Sequence, residues 1–192
     1  MGRVSRKETL ADGEYYHIVA RGNGKRAIFR CKRDYKTFIN ITHEYLEKFS
    51  IKLYHYCLMK NHIHFLVQAI QSTALPKFMQ GILQKYAVYF IRKYDSPGHI
   101  FQNRYKSYLI DKDSYLLECA RYIERNPLRA KIVDDLFEYL WSSFNFYNKG
   151  APDVIIKDAN PWYLELGLTE KECQKNYAEY VLQIRPSELL EK

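Results

Sequence analysis

Four side chains in two stretches carry residue types that can do chemistry at useful spacings. His62 and His64 stand two apart in an apolar, aromatic segment, 53–68. The polar pair Lys60-Asn61 breaks that segment into two strand-like runs joined by a tight turn. Side chains alternate along a strand, so both imidazoles leave one face while Ile63 enters the opposite core. Two neighbouring imidazoles make two-thirds of a divalent metal site. A His-x-His tripeptide arises by chance in about one in five chains of this composition, so it is not specific alone. In a helical segment downstream, Tyr122 and Asn126 lie four apart, on one helix face. A tyrosine hydroxyl can attack phosphorus, and the phosphotyrosine keeps the cleaved bond until a 3′-hydroxyl releases it. Such an attack calls for a cation to draw charge from the phosphate and hold it in line. His62, His64 and an Asn126 oxygen form a mixed nitrogen and oxygen set with open positions, suited to Mg²⁺ or Mn²⁺. No Gly-x-x-x-x-Gly-Lys-Ser/Thr loop is present. Spacing does not choose Tyr122 among 18 tyrosines, and Tyr115, about two turns earlier, is its rival.

The elements that must position these groups follow from periodicity. A first strand is predicted over 15–20, leading into the basic glycine-rich turn 21–26, whose amides and cations could meet phosphate or simply face solvent. A helix is expected over 33–49, with Tyr35, Phe38, Ile39, Thr42, Tyr45, Leu46 and Phe49 as its apolar stripe. The paired strands follow, then a long helix over 75–94 that the Asp95-Ser96-Pro97-Gly98 run breaks. A strand over 107–110 precedes a third helix over 114–126, capped by Asp111 or Asp113 and stopped by Pro127. Strand, helix, strand, strand, helix, strand, helix is the order of an α+β protein: an antiparallel sheet with helices on one face.

The chain has 192 residues with 30 Lys+Arg and 22 Asp+Glu, a formal charge of +8. Residues 151–192 hold 5 basic and 8 acidic side chains, so the first 150 carry +11. The anion-binding surface is therefore expected on the first 150 residues. A basic surface with 18 Tyr and 10 Phe suits single-stranded nucleic acid, whose bases stack on rings, although most tyrosines serve core edges. Three parts are expected: a basic arm (1–14), a main domain (15–150) and an acidic, small helical C-terminal tail (151–192). The tail's helical pieces fall at 162–168 and 171–184, and its Tyr177, Tyr180, Val181 and Ile184 could dock on the main domain or a sister subunit. Four scattered cysteines, with no Cys-x-x-Cys, read as reduced thiols. No apolar run nears the ~20 residues that span a bilayer, so no membrane is expected, and the start has no signal-peptide core. A cytoplasmic, nucleoid-associated protein is the expectation.

Five stretches in order resemble the single-tyrosine HUH transposases of insertion sequences, above all the REP-associated branch. They are Arg21-Gly22-Asn23; Met59-Lys60-Asn61-His62-Ile63-His64-Phe65-Leu66; Phe101-Gln102-Asn103-Arg104-Tyr105-Lys106; Tyr122-Ile123-Glu124-Arg125-Asn126-Pro127-Leu128-Arg129-Ala130; and Trp141-Ser142-Ser143-Phe144. The resemblance covers about 15–147, and Lys60 replaces the family's usual proline. It implies a ferredoxin-like core, Tyr122 as nucleophile, and Asn126 as third metal-binding position beside His62 and His64. The implied activity is cleavage and rejoining of single-stranded DNA with hairpins, at element ends, using Mg²⁺ or Mn²⁺. In other branches the third ligand is Gln, and two subunits exchange helices, so a homodimer stands open beside a monomer. Arg21, Lys25, Arg104, Lys106 and Arg125 are candidates for phosphate contacts, and Arg3 and Arg6 for reading sequence beside a hairpin. Two alternatives stand: an HUH replication initiator or relaxase, and a non-catalytic single-stranded nucleic-acid-binding regulator that keeps the fold.

Overall fold

The computed structural model describes residues 10–110 and 114–184. β1 (Tyr15–Arg21), α1 (Lys32–Leu46), β2 (Ile51–Met59), β3 (His62–Ala69), α2 (Ala74–Tyr94), β4 (Lys106–Ile110) and α3 (Ser114–Arg129) follow the expected order. Three shorter helices follow: α4 (Phe144–Lys149), α5 (Pro161–Leu164) and α6 (Glu170–Leu182). The strands lie in the order β2-β3-β1-β4, every neighbouring pair antiparallel. With the two βαβ crossovers this is the ferredoxin-like arrangement.

Alternation along the strands divides the core between the two faces. Tyr16, Ile18, Ala20, Ile63, Phe65 and Val67 point to the face covered by α1 and α2, where Phe38, Ile41, Phe78, Ile82 and Tyr86 meet them. The expected packing of helices on one face is this layer. Gly81 allows it, because a Cβ there would sit 1.9 Å from the Tyr45 ring. On the opposite face Cys57, Met59 and Leu66 pack under Leu116, Cys119, Ala120 and Ile123 of α3. Burying Met59, Leu66, Leu116 and Ile123 stabilises by about 1.5–3 kcal/mol each against full exposure. The histidine face of β3 is thus roofed by the helix that carries Tyr122.

One local expectation needs correction, and one open alternative narrows. Pro127 does not stop α3, which runs on to Arg129. Proline removes the N–H that would bond the Ile123 carbonyl. The Asn126 side chain replaces that donor, its Nδ2 lying 3.1 Å from Ile123 O and 2.8 Å from Tyr122 O. In the 21–26 turn, where the sequence leaves ligand and solvent open, four amides are taken by backbone carbonyls. Gly22 N donates to Asn61 O, Asn23 N to Ile100 O, Lys25 N to Gly22 O and Arg26 N to Asn23 O. Gly22 is needed here, since a Cβ would meet Arg26 O at 2.3 Å. The candidate caps Asp111 and Asp113 lie outside the described residues.

α1 is trimmed to Lys32–Leu46, its start held by Asp34, which accepts from the Arg30 and Cys31 amides. Beyond α3 the chain folds back. Tyr177 and Val181 of α6 are buried with Phe144, Tyr147 and Tyr163 in a third cluster, so this face of the tail docks on the main domain. Ile184 is instead 66% exposed. Among the described residues no helix is long and apolar enough to cross a membrane.

Candidate active site

Register places the site. His64 pairs with Val19 of β1 and with Cys57 of β2, while His62 pairs with Arg21 and Met59. His17 and Tyr108 lie opposite each other on β1 and β4, on the same face as the two histidines. α3 brings Tyr122 onto this surface. Its ring meets His64 edge-on at 5.9 Å between centroids and His17 at 5.8 Å. Arg129 lies over the Tyr122 ring at 5.0 Å. Tyr122 is 41% exposed and lines the cleft described next. Tyr115 is also exposed, at 51%, so exposure does not separate the rivals.

A cleft of about 630 Å³ opens here, lined by His17, Arg21, His64, Arg104, Lys106 and Tyr122, with no carboxylate among the described residues of its wall. Such a cationic wall favours a polyanion. Arg21, Arg104 and Lys106 are thus brought to the site. Lys25 is exposed on the neighbouring turn, where its carbonyl accepts from Asn61. Arg125 is a correction: it is 7% exposed, and its Nη1 donates to Val181 O at 2.7 Å. The residue after Glu124 turns away from the cleft toward α6, so its cation serves docking. Arg3 and Arg6 lie outside the described residues.

The donor chemistry of the candidate cation ligands can be read from their partners. His62 Nδ1 lies 2.6 Å from Asn61 Oδ1, whose Nδ2 donates to Lys25 O. That amide orientation makes His62 Nδ1 the donor and leaves its Nε2 lone pair available. Burial, with a smaller push from the Arg21 cation, pulls the His62 pKa down to about 4. Burial holds His64 well below its ordinary value, assisted by His17 and His62. Both imidazoles are therefore neutral near pH 7, as ligation requires. The Asn126 amide nitrogen is committed within α3, so Oδ1 is the atom it can offer a cation. Its described hydrogen bonds stay inside the helix and do not join it to a histidine. Among the described residues no group of three or more His, Cys, Asp and Glu gathers as a metal site. The donors these residues could offer a divalent cation are two neutral imidazoles and one amide oxygen, fewer than a closed zinc centre needs.

Two features escaped sequence reasoning. His17 is one, 45 positions upstream of His62. Its one sequence signal is parity: it lies four positions before Arg21 on the predicted first strand, and so on the same face. The other is a buried polar network behind α3. Glu124 Oε1 meets His55 Nδ1 at 2.9 Å and accepts from Ser143 Oγ at 2.6 Å, while Oε2 accepts from Tyr177 at 2.9 Å. Asn160 meets His55 Nε2 at 3.1 Å, and Tyr147 stacks on that ring at 4.2 Å. Glu124 lies between Tyr122 and Asn126 in sequence, so the network fixes the helix that carries both.

A ferredoxin-like sheet with an exposed tyrosine edge-on to paired strand histidines in a cationic cleft defines a nucleic-acid-processing class. The chain matches the profile of the IS200-like transposases over residues 11–126. It belongs to that family, whose members cleave and transfer DNA. A solved REP-associated tyrosine transposase bound to a REP hairpin is similar in fold, with TM-score 0.60, 13% identity, and 82% of this chain and 92% of that one covered. A structure from Deinococcus radiodurans R1, provisionally described as a transposase, aligns with TM-score 0.44 and 14% identity, over 65% of this chain and 95% of that one. No curated protein matches the chain.

Proposed function

We propose that this protein cleaves and rejoins single-stranded DNA at hairpin-forming element ends, with Tyr122 as nucleophile and a divalent cation held by His62, His64 and Asn126. The observation that carries this reading is the meeting of Tyr122 with His64 and His17 on a cationic cleft. Tyr122 Oη attacks phosphorus; a P–Oη bond forms and the P–O3′ bond breaks. The tyrosine proton leaves to solvent and the 3′-oxygen takes one up, so a 5′-phosphotyrosine and a free 3′-hydroxyl result. A second 3′-hydroxyl reverses the step and joins a new strand. When bound, Mg²⁺ or Mn²⁺ would supply charge withdrawal from the phosphate oxygens. Arg21, Arg104 and Lys106 would hold the backbone, and the Tyr122 ring is kept in place by His17, His64 and Arg129. Hairpin DNA as substrate draws support from the REP hairpin in the similar structure.

The test is labelled hairpin-bearing single-stranded DNA with Mn²⁺, presented to wild type, Tyr122→Phe and His62→Ala/His64→Ala. A denaturation-resistant protein–DNA adduct formed by wild type alone is the expected result. An adduct that persists in Tyr122→Phe moves the nucleophile to Tyr115 or another tyrosine. Binding by all three without cleavage favours the regulator reading.

A further inference from the structure

His17 belongs to none of the stretches that first marked the site, yet it makes the most directional contact in it. On β1 it stands opposite Leu66, one diagonal step from His64 on the same sheet face. Its Nε2 lies 2.9 Å from His64 Nδ1. The two ring planes are 21° from parallel and the centroids 5.2 Å apart. That separation is close to the N···N distance plus half a ring at each end, so the rings meet edge to edge rather than face to face. The bond therefore runs nearly in both ring planes, where an imidazole N–H and lone pair point.

An imidazole that offers its Nε2 lone pair carries its proton on Nδ1. We propose that His17 is the positioning residue of the cation site: it accepts the Nδ1–H of His64 and so fixes the tautomer and ring angle that leave His64 Nε2 free for a divalent cation. The inference rests on the metal reading given above. Metal-binding histidines hand their second N–H to a fixed acceptor almost without exception, and such partners matter nearly as much as the ligands. His62 already follows that pattern through Asn61 Oδ1. With His17 in the same role, both histidines present the same nitrogen, Nε2, and both acceptors lie on the protein side.

The backbone makes His17 a rigid acceptor. β1 is hydrogen-bonded on both edges, to β3 and to β4, so the Cα of His17 does not shift without disturbing two ladders. Tyr108 and Tyr122 close on its ring at 5.9 and 5.8 Å between centroids. The same residue thus touches the nucleophile and orients a ligand, which couples the placement of Tyr122 to that of the cation.

The experiment compares wild type, His17→Leu and His17→Gln. Gln carries an amide oxygen near the reach of imidazole Nε2; Leu carries no acceptor. Nitrogen-15 imidazole spectra of the metal-free proteins report the His64 tautomer, and titration with Mn²⁺, followed by the paramagnetic signal of the free ion, reports affinity. Wild type is expected to show His64 protonated on Nδ1. His17→Leu should lose that single tautomer and bind Mn²⁺ about 10–100-fold more weakly. His17→Gln should restore both readings, which a merely space-filling role would not do. An unchanged tautomer and affinity in His17→Leu overturns the proposal. Equal weakening in Leu and Gln variants also overturns it, because the imidazole itself would then be the requirement. If wild type takes up no Mn²⁺ while the tautomer still follows His17, the metal reading fails on its own and the positioning role falls with it.

Discussion

Two histidine-centred clusters flank α3, and they are built on opposite principles. Behind the helix, His55 is wholly buried, with Glu124 on one ring nitrogen, Asn160 on the other and Tyr147 stacked on its face. Both Glu124 oxygens have partners as well. Nothing in that network is left to bind a ligand. In front, His62 and His64 spend one nitrogen each on a protein partner and keep the other. The tyrosine beside them is half exposed, and among the described residues the cleft wall carries cations without carboxylates. A buried polar group left unmatched costs stability, so a structural node satisfies every donor and acceptor. A reactive site keeps some of them open and relies on rigid neighbours to hold that state.

Substitutions that separate these two roles should diverge most. Tyr122→Phe and His62→Ala/His64→Ala are expected to abolish the covalent DNA adduct, and Tyr122→Phe should shift the unfolding midpoint little; adduct gels beside thermal melts check both. Glu124→Ala should act the other way. It strips a partner from His55, Ser143 and Tyr177 at once, and a loss of about 3–5 kcal/mol in urea unfolding is expected. Tyr177→Phe, which unpairs one Glu124 oxygen, should cost about 1–3 kcal/mol in the same assay.

The two arginine classes offer a finer comparison. Arg104→Ala should weaken single-stranded DNA binding and reduce the salt slope of log K by about one. Arg125→Ala should leave that slope unchanged and lower stability, because its guanidinium bonds Val181 O inside the protein. A reduced salt slope in Arg125→Ala would return this residue to the DNA surface.

Acid gives the mildest test. His17 and His62 are pulled from 6.5 to about 4 by burial. The unfolded chain then binds more protons than the folded one between those values, so stability rises with pH there. The contribution is complete above pH 6.5 and is lost as pH falls toward 4. Melts in metal-free buffer at pH 7.5 and 5.0 should show a lower midpoint at pH 5.0, and His17→Gln should narrow the gap.

Much of the architecture was legible because periodicity carries it. The turn at Lys60-Asn61 divided two strands, the shared parity of His62 and His64 placed them on one face, and three-and-four spacing marked α1 and α2. Tyr122 emerged from motif order, since 18 tyrosines share its chemistry and local spacing ranks none of them. Pro127 misled because a helix can pass a proline when a side chain, here Asn126, supplies the missing donor. Arg125 misled because charge in sequence does not say which helix face is covered.

What the sequence determined by itself were the local properties: strand and helix order, the faces of residues two or four apart, and the donor types in the proposed cation set. What tertiary structure alone decided was adjacency across the fold. His17 reaches His64 because β1 pairs antiparallel with β3, and Glu124 reaches His55 because α3 packs on β2. Those contacts join residues 47 and 69 positions apart. They depend on register and helix rotation, which are set by burying whole faces together and leave no periodic mark along the chain.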